Sequence, residues 1–256
     1  MHWFSIFILS LVEGLTEFLP VSSTGHMIVA AKFLSLSQTD ALKAFEVIIQ
    51  LAAIFAIALF YRRRFRWSQR QLWLKVMLAF FPIGLAGFIL ANVVKSLFSV
   101  PVVALMFILG GLVFIFIENN YDSLTHQTSN LNSITWFQAF KIGLWQVLAL
   151  IPGTSRSGAT IIGGMLSGLD RQTATEFSFL LALPVMLAAS GYDLLKHYQL
   201  FNAQEWHLLI FASLIAFISA YLTVKFFLAY LKHHNFRIFG WYRLVFGLIL
   251  LLFFLK

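Results

Sequence analysis

Cysteine is missing from this sequence, and charge is scarce. The first absence excludes disulfides and thiolate metal sites. The second excludes a water-soluble domain of this size. Acidic and basic residues make up 11% of 256 residues, while hydrophobic residues make up 60% and phenylalanine alone contributes 29. Soluble globular chains carry about 25% charged residues, so lipid must be the solvent for most of this chain. A removable leader is not expected either. Residues 1–19 lack a basic start and a small-residue cleavage site, and they carry Glu13 and Glu17 where a signal core is apolar.

Acidic residues are the scarcer kind, and the net charge is +8. Much of that excess sits in RRRFRWSQRQLWLK, residues 62–75, beside apolar stretches. A basic juxtamembrane loop of this sort reads as cytoplasmic and lipid-facing, not as a nucleic-acid surface.

A window able to cross roughly 30 Å of hydrocarbon needs about 20 largely apolar residues. Five or six such windows are present, at residues 42–60, 76–94, 100–117, 173–195, 206–228 and 238–255. Two more apolar stretches are interrupted, residues 1–34 at 20–25 and residues 135–169 at 152–158, each time by proline and glycine. Such a break cannot continue a helix, and each half is too short or too polar to cross. Each stretch is therefore expected to be a helical hairpin that enters and leaves by one face. Irregular backbone at that depth requires surrounding protein or a wet cavity.

The interrupted stretches resemble one another. GLTEFLPVSS at residues 14–23 is similar to GLWQVLALIPGTS at 143–155, and FEVIIQLAA around Glu46 is similar to TEFSFLLAL around Glu176. Pro152 follows Pro20 by 132 residues and Glu176 follows Glu46 by 130, so the chain reads as a duplication, a layout used by transporters. The expected architecture is an all-α polytopic membrane protein in one integral domain, residues 1–256. It has about six transmembrane helices and two re-entrant hairpins, with internal repeats near 1–118 and 135–256. Three crossings between the hairpins invert the halves. Residues 62–75, 119–134, 169–172 and 232–237 then share the cytoplasmic side, with scattered lysines such as Lys95 and Lys196 and both chain ends outside.

Glu13 and Glu17 are one helical turn apart and share a face, about 6 Å apart at Cβ. Carboxylates in hydrocarbon imply a cavity, a cation or a basic partner. The bland alternative is an interfacial helix with both in water. In PVSSTGH, residues 20–26, Ser22, Ser23 and Thr24 suit ordinary capping of a helix starting near Gly25. Capping leaves the glutamates and His26 unexplained. A lone histidine reads as core, but beside two carboxylates and a free hydroxyl it becomes an acid–base candidate. PGTSRSG, residues 152–158, places Arg156 among Thr154, Ser155 and Ser157 at a helix start. Exposed amides and a guanidinium suit phosphate oxygens; alternatively, Arg156 pairs with Glu13 or Glu17. Together these groups are a kit for phosphoryl transfer on an anionic lipid head group.

EGLTEFLPVSSTGH and PGTSRSG resemble the two signature motifs of the bacterial undecaprenyl-diphosphate phosphatases, also called bacitracin-resistance proteins. The resemblance runs the whole chain. It implies six spans with two re-entrant hairpins, and removal of the terminal phosphate of a C55 isoprenoid diphosphate to give the carrier lipid of cell-wall polymers. It also implies an active site of Glu13, Glu17, Ser23, Thr24 and His26 with Ser155 and Arg156. In the expected mechanism Ser23 attacks phosphorus, Glu17 takes its proton and Arg156 holds the developing charge. His26 protonates the leaving group, helps activate water, or is itself the nucleophile. Glu13, Ser22, Thr24, Thr154, Ser155 and Ser157 are expected to bind substrate. Glu13 and Glu17 are expected to share a divalent cation, Mg²⁺ or Ca²⁺, with the diphosphate.

Glu46, Gln50 and Glu176 occupy matching places in the two repeats, where they line one cavity, bind across the repeat interface or, as the favoured reading, pair structurally with neighbouring polar groups; the aromatic residues are expected to be mostly lipid-facing surface. Gly84, Gly87, Gly110, Gly111, Gly163 and Gly164 are expected to let helices approach closely. The expected partners are a prenyl diphosphate lipid and the bilayer, with a homodimer an admissible assembly and no nucleic acid. The expected location is the bacterial plasma (inner) membrane, with the site toward the external, periplasmic face. The rival function is a lipid-phosphate transporter or flippase that uses the same anion site without cleaving.

Overall fold

In hydrocarbon a spanning segment must satisfy its own backbone polar groups, which favours helices. The computed structural model describes residues 2–36, 39–121, 129–201 and 203–254, and every regular element among them is helical. In chain order the α-helices are α1 (Trp3–Thr16), α2 (Ser23–Phe33), α3 (Asp40–Phe60), α4 (Arg70–Ile89), α5 (Ala91–Ser96), α6 (Val100–Asn119), α7 (Trp136–Gln146), α8 (Arg156–Leu166), α9 (Arg171–His197), α10 (Ala203–Leu231) and α11 (Arg237–Phe254). The protein is an all-α polytopic membrane protein. Among the described residues five segments are long and apolar enough to cross: Ala41–Phe60, Trp67–Ile89, Val100–Asn119, Arg171–His197 and Glu205–Leu231. Phe81, Phe88, Phe116 and Phe226 stand exposed on the outer faces, as lipid solvent requires.

Two boundaries differ from the sequence reading. The window 76–94 is divided, because α4 stops at Ile89 and Val94 belongs to α5. The basic run 62–75 is only partly a loop: short 3-10 turns occupy Arg62–Phe65 and Trp67–Gln69, and α4 starts at Arg70. The physical reason is burial of the first turns of α4. Leu72 is buried, and Lys75 donates to the Asn132 carbonyl at 3.3 Å over the Trp136 ring. Of the expected cytoplasmic loop 119–134, residues 122–128 lie outside the described residues, as does Leu255 of the sixth window.

With 14, 11, 11 and 11 residues, α1, α2, α7 and α8 cannot cross. At 1.5 Å per residue they reach about 16–21 Å. They pair instead, α1 on α2 and α7 on α8. Each hairpin's outer helix lies along a long helix of the other half. Trp3 meets Phe211 while Gly14 faces Ala216 and Ser219, so α1 runs parallel to α10. Lys75 meets Trp136 while Gly143 faces Ala79, so α7 runs parallel to α4.

The closest seam joins α6 and α11. Gly111 faces Gly240 and Leu244 while Gly247 faces Ala104, so these helices are antiparallel. A methyl group at Gly111 would meet the Gly240 carbonyl, and Gly111→Ala is expected to lower stability by about 1–3 kcal/mol. Thermal unfolding in detergent checks this; an unchanged midpoint would show that the seam opens freely. Gly84 and Gly87 do not serve such a seam. A Cβ there would make ordinary contacts, with Phe80 of its own helix at 3.4 Å and with Leu150 at 3.6 Å, because α4 meets no backbone closely at these turns.

Candidate active site

Both interruptions in the sequence become loops that end in a serine with positive φ, Ser22 at 67° and Ser155 at 73°. A non-glycine residue there costs on the order of 1–3 kcal/mol, so the surroundings must impose it. After Ser22 the chain enters α2 at Ser23, two residues before the expected start at Gly25, and the Ser22 hydroxyl makes no capping bond. The capping expected of it is therefore absent. At the second loop a cap is present: Ser155 Oγ accepts from the Gly158 amide at 3.1 Å.

The loops are bound to each other. Ser157 Oγ donates to the Leu19 carbonyl at 2.9 Å. Arg243 of α11 is fully buried and donates to the carbonyls of Pro20 at 3.1 Å, Gly153 at 3.1 Å and Met106 at 2.9 Å, joining both loops to α6. Gly110 leaves room for that guanidinium, which lies 5.3 Å from the centre of the Phe107 ring. Sequence reasoning missed Arg243, although an arginine inside the last apolar window is a signal in its own right. Arg243→Met would strand buried carbonyls of both loops, with an expected loss of about 3–5 kcal/mol. The check is thermal unfolding of the detergent-purified variant, and a wild-type midpoint would contradict the role.

The loop junction sets the chemistry. Ser23 Oγ donates to Glu17 Oε2 at 2.5 Å, and Arg156 Nη2 donates to Glu17 Oε1 at 3.0 Å, with the pair largely buried. Arg156 also donates to the Ser178 carbonyl at 3.1 Å and sits over the Phe18 ring, while its Nε is buried without a partner. Glu17, Ser22, Ser23, Thr24, Ser155 and Arg156 line one cavity of about 200 Å³, joined by Gln50 and by apolar residues that include Ile83, Phe98 and Val185.

The other expected residues stand apart from that lining. Glu13 lies a turn behind Glu17, fully buried, with neither carboxylate oxygen hydrogen-bonded. Glu17, Glu46 and Arg156 are its electrostatic neighbours. The Thr154 hydroxyl is buried without a partner, and Ser157 is occupied by Leu19. His26 turns toward α11. Its Nδ1 bonds the Ser22 carbonyl at 2.8 Å, its Nε2 bonds the Tyr242 hydroxyl at 2.6 Å, and the ring stacks on Phe246. Glu176 is bonded by Gln172 at 2.8 Å, as expected of it, and it lines a different cavity from Gln50.

Both oxygens of Glu13 and one of Glu46 are buried without hydrogen-bond partners, and bare carboxylate oxygens are what a hard cation takes. No cluster of three or more histidine, cysteine, aspartate or glutamate side chains is placed to hold a metal among the described residues. Glu13 offers bare oxygens one turn behind the cavity, whereas both Glu17 oxygens are bonded, so a cation shared by these two carboxylates and a bound substrate would require Glu17 to release Ser23 or Arg156.

Fold and site together define a polytopic helical membrane protein in which two re-entrant loops bring together an acid, a hydroxyl and an arginine. The comparisons give that class a family. The chain belongs to the bacitracin resistance protein BacA family, whose model matches residues 6–249. It is 52% identical over 245 residues to an undecaprenyl-diphosphatase of Sulfurovum sp. (strain NBC37-1), covering 96% of each chain. It is 51% identical over 251 residues to undecaprenyl-diphosphatase 2 of Pseudoalteromonas translucida (strain TAC 125), covering 98% of each. A Methanococcus aeolicus undecaprenyl-diphosphatase is 45% identical across the full length of both chains.

Proposed function

We propose that the protein is an integral membrane phosphatase that hydrolyses undecaprenyl diphosphate to undecaprenyl phosphate and inorganic phosphate, recycling a cell-wall carrier lipid and conferring bacitracin resistance. The observation that carries this is the continuous chain Ser23 Oγ, Glu17, Arg156, with links of 2.5 and 3.0 Å across two loops distant in sequence. A pure anion carrier needs the arginine. It does not need a hydroxyl already bonded to a carboxylate.

In the proposed reaction Ser23 Oγ bonds to the terminal phosphorus as Glu17 accepts its proton. The bond from that phosphorus to the bridging oxygen breaks, and the prenyl monophosphate leaves with the electron pair. Arg156 shifts from Glu17 to the phosphoryl oxygens, where the first amides of α8 also point. Glu17 gives its proton to the departing monophosphate and then takes one from the water that attacks the phosphoserine; the phosphorus–Oγ bond breaks, Glu17 returns the proton to Ser23 Oγ, and inorganic phosphate is released. His26 supports the loop through the Ser22 carbonyl; acting on the leaving group, or as nucleophile, would require it to leave Tyr242. Glu13 and Glu17 would hold the divalent cation, which would neutralise phosphate charge. The cavity of about 200 Å³ equals roughly seven waters at ~30 Å³ each. That suits a diphosphate, and the hydrocarbon tail stays outside.

The cavity is lined by Gln50 of α3 and by Val185 and Met186 of α9, away from the arginine-rich end of α3. This supports catalysis on the external face of the plasma (inner) membrane. The matched packing of α1 on α10 and α7 on α4 supports reading residues 1–118 and 135–256 as inverted repeats within one domain.

Phosphate release from prenyl diphosphate by protein purified in detergent tests the proposal, since a flippase needs a membrane and hydrolysis does not. Release is expected; binding without release would turn the reading to a carrier. A chelator is expected to lower the rate at least about tenfold, with Mg²⁺ or Ca²⁺ restoring it. A rate indifferent to chelation removes the cation.

A further inference from the structure

At the arginine-rich end, α3, α9 and α10 enclose a second cavity of about 700 Å³. From Gln50 to Phe60 on α3 and from Met186 back to Glu176 on α9, ten residues separate it from the active cavity. That is about 15 Å of helix, so the two cavities are distinct. Arg62, Arg63, Arg64, Lys225 and Lys232 line it against the single carboxylate of Glu176, which is bonded by Gln172. Arg62, Arg63, Lys225 and Lys232 form no ion pair among the described residues. Like charges gathered around one hollow repel, and an anion between them reverses the sign of that interaction.

A second observation points to the same kind of ligand. Tyr61 lines this cavity and is only 7% exposed, yet its hydroxyl has no hydrogen-bond partner. A buried hydroxyl left unpaired is costly, and a turn of the ring toward the cavity would let a phosphate oxygen satisfy it. The wall is also partly apolar, with Leu59, Phe60 and Leu228. Of these, Leu59 is exposed on the outer face of α3. Free phosphate has no use for that surface. The positive-inside rule places this end in the cytoplasm, where an anionic leaflet is worth about 1 kcal/mol per lysine or arginine.

We propose that this cavity binds the head group of an anionic phospholipid. Arg62, Arg63 and Lys225 hold its phosphate, the Tyr61 hydroxyl donates to one phosphate oxygen, and the acyl chains run along Leu59, Phe60 and Leu228.

The test is thermal unfolding and lipid retention of delipidated full-length protein in detergent, titrated with phosphatidylglycerol, phosphatidylcholine or inorganic phosphate. Phosphatidylglycerol is expected to raise the midpoint and to co-purify with the chain, and phosphatidylcholine to do neither. Arg63→Gln with Lys225→Gln, both at exposed positions, is expected to weaken phosphatidylglycerol binding about tenfold or more. Tyr61→Phe is expected to leave the lipid-free midpoint unchanged, because no bond is lost, and to weaken the lipid several-fold. Equal binding by wild type and both variants overturns the proposal, as does equal stabilisation by phosphatidylcholine. Inorganic phosphate that stabilises as well as the lipid would show a small-anion site instead, which also overturns it.

Discussion

Ser23→Ala is expected to lower phosphate release to about one part in a thousand of wild type or less, the scale on which losing a nucleophile acts. Its hydroxyl donates to Glu17 Oε2, while the other donor on that carboxylate, Arg156 on Oε1, is a guanidinium and no nucleophile. Thr24 lines the cavity, but no bond joins it to the carboxylate. Stability should fall far less. One buried hydrogen bond to a carboxylate is lost, worth about 1–3 kcal/mol, so the variant should purify as a folded chain. Release measured at saturating substrate beside thermal unfolding checks both parts. A folded variant that keeps a tenth of the rate would remove the serine route.

Arg156→Ala should cost about 10³-fold or more in release, the range in which an arginine on a transferring phosphoryl group acts. Unlike Ser23→Ala it should also destabilise strongly, because Glu17 remains buried without its cation. Breaking such a pair on one side costs about 3–5 kcal/mol. The two effects separate in a double-mutant cycle. Arg156→Ala with Glu17→Gln should recover part of the lost stability, since no unpaired charge remains, yet recover no activity. Additive losses of stability would mean that the 3.0 Å bridge does not couple the loops energetically.

Much of the fold was legible because lipid simplifies the code. A span must be apolar and long, and a proline–glycine break at bilayer depth must be a loop. Windows 42–60, 100–117, 173–195 and 206–228 therefore lie within single helices of the structure. The gap between α4 and α5 at Leu90 was not legible, because apolar residues flank it on both sides and neither proline nor glycine marks it. Glu17, Ser23 and Arg156 could be picked out as polar residues stranded in hydrocarbon. What spacing cannot show is which distant partner each group meets. His26 finds Tyr242 across 216 positions, and Arg243 finds Pro20 across 223. Glu118 joins Arg171 at 2.6 Å and the Phe236 amide at 3.0 Å, fastening α6, α9 and the start of α11, and nothing local announces it. Matching repeat positions misled in one respect. Gln50 lies midway along α3 beside Val185 and Met186, whereas Glu176 lies near the start of antiparallel α9 beside the Phe60 end of α3, so kinship in sequence did not bring them to one cavity.

The central claim is that two re-entrant loops together turn Ser23 into a nucleophile for a diphosphate. The most direct measurement is to quench the purified enzyme during turnover of a prenyl diphosphate labelled in its terminal phosphate and to map the labelled residue. The account predicts label on Ser23 in the wild type and none in Ser23→Ala. Label on His26, or rapid turnover with no covalent label at all, would contradict it.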